Sequence, residues 1–137
     1  MVFPTWLLLK CLAAFGDELG DLAEGIVGPS QWEPLHGNPP QTGPDGRWFA
    51  RALGDAFGRK AEYPAAQAFA VGLIIDECSR RCGGRLEDAS LLGAARSLET
   101  TTFYGAFRLD HHTGRQVGHE IRLIEWQEGR KHVIDER

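Results

Sequence analysis

The sequence lacks most of the features that announce a reaction. It has three cysteines, Cys11, Cys78 and Cys82, an odd number that builds no closed disulfide framework. Cys78 and Cys82 stand four apart on an expected helix, where geometry orients them poorly for bridging. No set of Cys and His at metal-binding spacing accompanies them, so both are expected to fill core space. Basic charge is not in surplus: fifteen Lys and Arg against nineteen Asp and Glu leave a net charge of −4. Phosphate neutralisation needs a basic face, so no nucleic-acid partner is expected. Long apolar runs are also missing. Val2–Phe15 is apolar but too short to span a bilayer, and Lys10 interrupts it. Without a basic start or a small-x-small cleavage site it reads as a buried helix rather than an export signal or a membrane anchor.

Catalytic signatures are equally scarce. The sequence contains neither a phosphate-binding GxxxxGK[ST] nor a GxGxxG, and Ser30, Ser79, Ser90 and Ser97 have no nucleophile-elbow context. His111 and His112, with His119, Asp110 and Glu120 near them, could be drawn as a metal or acid–base cluster. Adjacent side chains diverge at a turn, however, and His119 has no nucleophile beside it in sequence. The expectation is no enzyme, no catalytic residue, no metal and no cofactor.

What is present is a chain of 137 residues, 42% apolar and 25% charged, the composition of an ordinary folded domain. Pro4 suits the first turn of a helix reaching about Leu19. Residues 23–28 form a short apolar run without alternation, read as a buried strand of the kind parallel sheets use. Residues 29–46 hold five of the seven prolines and read as a loop. Asp45 is placed to cap a helix from Gly46 to about Lys60, with Trp48, Phe49, Ala52, Leu53, Ala56 and Phe57 at helical spacing and Gly58 closing its last turn. Pro64 opens the longest helix, to about Cys82. Leu86–Leu98 gives a shorter one.

Thr101–Trp126 alternates apolar and polar residues on either side of Asp110–Gly114, predicting two strands around a turn. Asp110 can cap its own backbone there, and Gly114 can supply a positive φ. Glu128-Gly129 should then fold His132–Asp135 back as a last strand. Three or four short strands make an incomplete sheet.

Several stretches carry a resemblance. They are Gly28-Pro29-Ser30-Gln31-Trp32-Glu33-Pro34, Tyr63-Pro64-Ala65-Ala66-Gln67-Ala68-Phe69-Ala70, Thr101-Thr102-Phe103-Tyr104-Gly105, and Asp110-x-x-Thr113-Gly114-Arg115-Gln116-Val117-Gly118-His119. In order and spacing, they resemble the C-terminal third of the type I periplasmic binding proteins. The narrower likeness is to the branched-chain amino-acid (Leu/Ile/Val) substrate-binding proteins of ABC transporters. The resemblance implies an α/β fold, here a partial one, in which two lobes close on a ligand and are joined by crossing strands.

On that mapping residues 1–28 are a remnant of the C-terminal lobe, with Glu24–Val27 as its last core strand. Residues 29–45 are a hinge crossing and loop, 46–102 supply N-terminal-lobe helices, and 103–137 hold the last crossing and returning C-terminal-lobe strands. The implied function is capture of a branched-chain or related amino acid, an amide or a urea-like solute for an ABC permease, in the periplasm or another extracytoplasmic space. A ligand-sensing module of the same fold is the alternative.

An amino-acid site needs donors, acceptors and an apolar wall. Tyr63 at the loop-to-helix junction could line the cleft or staple the helix start. Trp32 and Gln31 could line it too, or pack at the base of the hinge. Phe103 and Tyr104 are expected in the core. With two-thirds of the implied fold elsewhere, the chain alone is expected to bind no amino acid tightly.

Overall fold

The computed structural model describes residues 12–34 and 39–134. In chain order these form α1 (Ala13–Leu19), a 3-10 turn (Gly20–Ala23), β1 (Val27–Ser30), α2 (Gly46–Phe57), α3 (Tyr63–Arg81), α4 (Asp88–Ser97), β2 (Thr100–Thr102), β3 (Gly105–Phe107), β4 (Arg122–Gln127) and β5 (Arg130–Val133). The portion of the first expected helix before Leu12 lies outside the described residues.

Local signals set the helix ends. Asp45 Oδ1 accepts the Trp48 N–H at 2.7 Å, satisfying one of the donors that a helix start leaves over. Gly58 caps α2 in the left-handed conformation and returns its own N–H to the Gly54 carbonyl, so the helix ends at Phe57, three residues before the expected end near Lys60. Pro64 stands in the first turn of α3, and Arg80 and Arg81 occupy its last turn, where positive charge meets the negative end of the helix dipole.

The strands form two small sheets. One runs β1-β4-β5 and the other is the β2-β3 hairpin; every ladder among the described residues is antiparallel. This corrects the expectation of a parallel-type strand at 23–28. Among the described residues the strand begins at Val27 and pairs with β4 alone, opposite Glu125, Ile124, Leu123 and Arg122. A short apolar run does not encode the direction of its partner. Pro29 within β1 fits an edge position, since it has no N–H for a second neighbour. The β4-β5 turn forms as expected, with Glu128 and Gly129 both at positive φ, the geometry of a tight two-residue hairpin. Strand β5 starts at Arg130, earlier than His132.

The two arms of Thr101–Trp126 belong to different sheets, as the crossing reading implies, but the first arm needs a correction. It reverses at once: Thr102 pairs with Gly105, and Phe103-Tyr104 make the turn. Thr102 Oγ1 accepts the Tyr104 N–H at 3.2 Å, and Gly105 takes φ +141, a conformation nearly closed to other residues. The aromatic pair has strand propensity, and that masked the turn.

Around Asp110 the expectation holds. Asp110 Oδ1 accepts from the backbone of His112 and Thr113 and from the Thr113 hydroxyl, Gly114 has φ +68, and Leu109 bridges Gln116. These hydrogen bonds, the Thr113 hydroxyl first, hold the Asp110 carboxyl below its usual range. The second arm, β4, never pairs with the first. It joins β1 and β5.

Two apolar cores result. Trp32, Phe49, Ala66, Ala70 and Phe103 form one; Ala23, Ile124 and Trp126 form the other, with Phe15, Ile26 and Val133 against it. Cys78 is buried, and burial, the leading cause, pushes its thiol up from the ordinary value. It behaves as a small apolar residue. Cys82 donates to the Ser90 carbonyl at 3.2 Å.

Candidate functional site

The segments that link the two cores meet at Gln31–Pro34 and at Phe103–Tyr104. Trp32 is only 3% exposed. Its ring stands edge-on to both Phe49 and Phe103, with centroids 5.8 and 5.7 Å away, and its Nε1–H donates to the Phe103 carbonyl at 3.0 Å. A buried indole needs such a partner. Phe103 in turn stacks on Phe49 at 4.7 Å. Trp32 and Phe103 therefore pack the junction from both sides.

Gln31 next door is bound rather than free, since its Oε1 accepts the Tyr104 hydroxyl at 3.0 Å. The Tyr104 ring lies flat on His119, centroids 4.7 Å apart and planes at 10°. Gly105 has to be glycine for a second reason: a Cβ there would sit 2.8 Å from His119 Nδ1. Gln31, Trp32, Tyr104 and Gly105, with Glu120 and Arg122, border a cavity of about 90 Å³. Small-molecule pockets run from about 300 Å³ upward, so this cavity is too small to hold an amino acid by itself.

A second recess of about 210 Å³ lies between the cores, where Ala61 and Glu62 face Trp126. Charges of both signs edge it: Asp17, Glu33 and Glu62 against Lys60, Arg130 and Lys131. Glu33 and Lys131 bridge it directly, Nζ to Oε1 at 2.7 Å, with side chains 8% and 17% exposed. The Ser30 hydroxyl donates to the same carboxylate oxygen at 2.8 Å. One crossing segment is thus tied to the β4-β5 hairpin.

Gln31 and Trp32 are brought together. Tyr63 is not brought to them: it opens α3 beside Glu62, half-buried against the first core, and does not border the Gln31–Trp32 cavity. Sequence reasoning missed the Glu33–Lys131 bridge, the Tyr104–His119 stack, and Gln116, whose side chain donates to the Ala106 carbonyl and accepts the Arg108 N–H. No local pattern signals any of these, because each joins separate stretches of chain. His111 and His112 are exposed on their turn, and among the described residues no cluster of His, Cys, Asp or Glu could hold a metal.

His119 has a testable electrostatic consequence. Its Nε2 is buried without a hydrogen-bond partner, and burial, the leading cause, lowers its pKa from the usual 6.5 against smaller opposing effects of the Gln31 backbone and Glu120. The folded protein then binds this proton less readily than the unfolded chain, so stability is complete above pH 6.5 and declines as pH falls below it toward the lower folded value. Urea midpoints measured from pH 8 to pH 5 should show this decline. His119→Phe should flatten it, while an unchanged slope in the variant would assign the effect to another group.

This architecture is an α/β fold that matches about a third of the fold of several solved solute-binding proteins of ABC transporters. A branched-chain amino-acid ABC transporter protein from Rhodospirillum rubrum, described as putative, matches with TM-score 0.69 at 21% identity, over 90% of this chain and 34% of that one. The leucine-binding protein LivK of Thermotoga maritima matches with TM-score 0.68 at 12% identity, over 89% and 33%. A solute-binding protein from R. palustris in complex with benzoate matches with TM-score 0.69 at 18% identity, over 87% and 31%.

The chain therefore spans about a third of the length of these structures. A scan of protein-family models gives no match, and neither does a search of curated proteins. No helix among the described residues is long and apolar enough to cross a membrane.

Proposed function

We propose that this chain supplies the hinge region and one wall of a ligand cleft in a solute-binding protein that serves an ABC permease. Its solutes are branched-chain or related amino acids, amides or urea-like compounds. The observation that supports the reading is the pair of separate apolar cores, one around Trp32, Phe49 and Phe103 and the other around Ile124 and Trp126. Two bodies joined by short crossings can close on a ligand by rotation about a few residues.

On this reading residues 46–102 belong to one lobe, 1–28 and the strands after Ile121 to the other, and 29–45 and 103–120 cross between them. Gln31 and Trp32 stand near the cleft, Trp32 as its packed base, while Tyr63 packs on the first core at the start of α3. The mixed charges of the recess between the cores suit a zwitterion, which needs an anionic and a cationic partner. Capture requires no bond to be made or broken. Solutes of this kind reach such proteins outside the cytoplasm.

Calorimetry on the 137-residue chain should show no micromolar binding of leucine, because the chain spans only about a third of the matched fold and so supplies one side of a cleft. Micromolar binding would overturn the view that the site is partial. A hybrid supplies the positive test, with this chain replacing the matched third of the Sphaerobacter thermophilus ABC-transporter substrate-binding protein, 22% identical to it. The hybrid should bind at least one of leucine, isoleucine, valine, acetamide and urea. A hybrid that unfolds cooperatively yet binds none of them would sink the proposed function.

A further inference from the structure

Among the described residues, His119 Nε2 is the one buried side-chain nitrogen or oxygen without a hydrogen-bond partner. Buried polar groups are nearly always paired, and an exception asks for a reason. Strands β1 and β4 lie side by side with Ser30 opposite Arg122, so Gln31 and His119 both stand at the same end of that sheet. Tyr104 comes from the other sheet, in the β2-β3 turn. It meets both residues. Its hydroxyl donates to Gln31 Oε1 at 3.0 Å, and its ring lies on the imidazole with centroids 4.7 Å apart. Gly105 leaves the space that the imidazole fills. One aromatic contact therefore ties the sheet of the second core to the hairpin of the first.

That contact suits a neutral imidazole. A second proton would make Nε2 a buried cationic donor with nothing to accept from it, a group costly to keep from water. The Gln31 backbone and Glu120 favour the charged form, and burial outweighs them. Glu120 is itself exposed. Glu33, across the adjoining cavity, is already engaged by Lys131 and Ser30. Arg122 borders the same cavity, and the Arg108 backbone passes Gly118, so both bring positive charge to the neighbourhood. The Tyr104 face attracts a cation, but more weakly than burial disfavours an unpaired one. Val117 and Glu120 beside His119 are exposed, so a charged imidazole has a short way to water.

We propose that the Gln31–Tyr104–His119 contact is an acid-released pin at the junction of the two bodies, so that a captured solute is let go where the surroundings turn acidic. The inference rests on the solute-binding reading and adds its regulation. The released form takes up the proton near the ordinary 6.5 and the pinned form only below it. The pin is therefore complete above pH 6.5 and is lost as pH falls toward the lower value. Over that interval the balance moves toward release by up to about tenfold per pH unit.

Proton NMR of the 137-residue chain from pH 8 to pH 5 tests the pin. Stacked on Tyr104, the carbon-bound protons of His119 take an upfield ring-current shift, and release returns them to the positions of the exposed His111 and His112. That return, with a midpoint below 6.5 and unchanged far-ultraviolet circular dichroism, is the expected result. His119→Phe identifies the lines by removing them, and Tyr104→Leu should move the His119 midpoint up toward 6.5. A His119 that titrates with its ring-current shift intact would overturn the proposal, as would one that does not titrate in this range. So would a loss of circular dichroism at the same midpoint, which would make the event global unfolding.

The hybrid with the Sphaerobacter thermophilus protein reads the consequence. Its affinity for the solute it binds should fall by roughly threefold or more from pH 7.5 to pH 5.5. His119→Phe, which keeps a ring on Tyr104 without the proton, should remove that fall. An affinity unmoved by pH, or one that falls equally in the variant, would overturn the proposal. A hybrid that binds no solute at any pH would remove the proposed function and leave the pin, which the NMR lines report without a ligand.

Discussion

Phe103→Ala should cost about 3–5 kcal/mol of folding stability, the range for removing a large buried aromatic. Phe103 is 4% exposed, and its ring contacts those of Trp32, Phe49 and Phe69. Its loss leaves a void between three rings that the backbone cannot close, because Phe103 also forms the tight turn between β2 and β3. Domains are stable by about 5–15 kcal/mol, so the variant should fall near the edge of folding. Urea denaturation followed by tryptophan fluorescence would measure the loss, since Trp32 and Trp126 are both buried while Trp48 is exposed and less responsive. A cost below about 1 kcal/mol would mean that the aromatic cluster is not the core of this half of the chain.

Breaking the Glu33–Lys131 bridge should cost about 3 kcal/mol when Glu33 alone becomes Ala, the low end of the range for disrupting a buried pair. Lys131 keeps some access to water at 17% side-chain exposure, and this places the effect at that end. The Ser30 hydroxyl, 1% exposed as a residue, loses its carboxylate acceptor as well. Replacing both partners with apolar residues, Glu33→Leu with Lys131→Met, should recover most of the loss, since desolvation of two charges is then no longer required.

A double-mutant cycle would report the coupling between the residues. If the single and double variants lose stability additively, the bridge does not join the crossing segment to the β4-β5 hairpin energetically. Should the bridge hold, the same cycle in a ligand-binding hybrid would also read its share in lobe closure.

The helices were legible because their signals are local. Asp45 caps a helix three residues away, Gly58 stops it with its own φ, and Pro64 starts the next. The Asp110–Gly114 turn was legible for the same reason, since its hydrogen bonds all lie within a few residues of Asp110. The order and spacing of the motifs containing Gly28–Pro34, Tyr63–Ala70, Thr101–Gly105 and Asp110–His119 pointed to the fold, and the solved structures match it.

The strand pairing was much harder to read. Val27–Ser30 finds its partner in Arg122–Gln127, far along the chain, and a four-residue strand carries no mark of direction. The reversal at Phe103-Tyr104 was hidden by two residues that favour strands, and only the Thr102 hydroxyl and Gly105 hinted at it. Of the candidate site residues, Gln31 and Trp32 do meet at one cavity, while Tyr63 packs elsewhere on the first core.

The sequence by itself determined the helices, the Asp110 turn, the absence of catalytic and phosphate-binding motifs, and the family of folds that the chain resembles. Each of these depends on residues within a turn or two of each other or on the linear order of motifs. Tertiary structure alone decided that β1 runs antiparallel on a sheet edge, that Trp32 is sealed among rings, that Glu33 reaches Lys131, and that Tyr104 lies on His119. These are contacts between distant segments, and their energies come from burial and desolvation that no local pattern records.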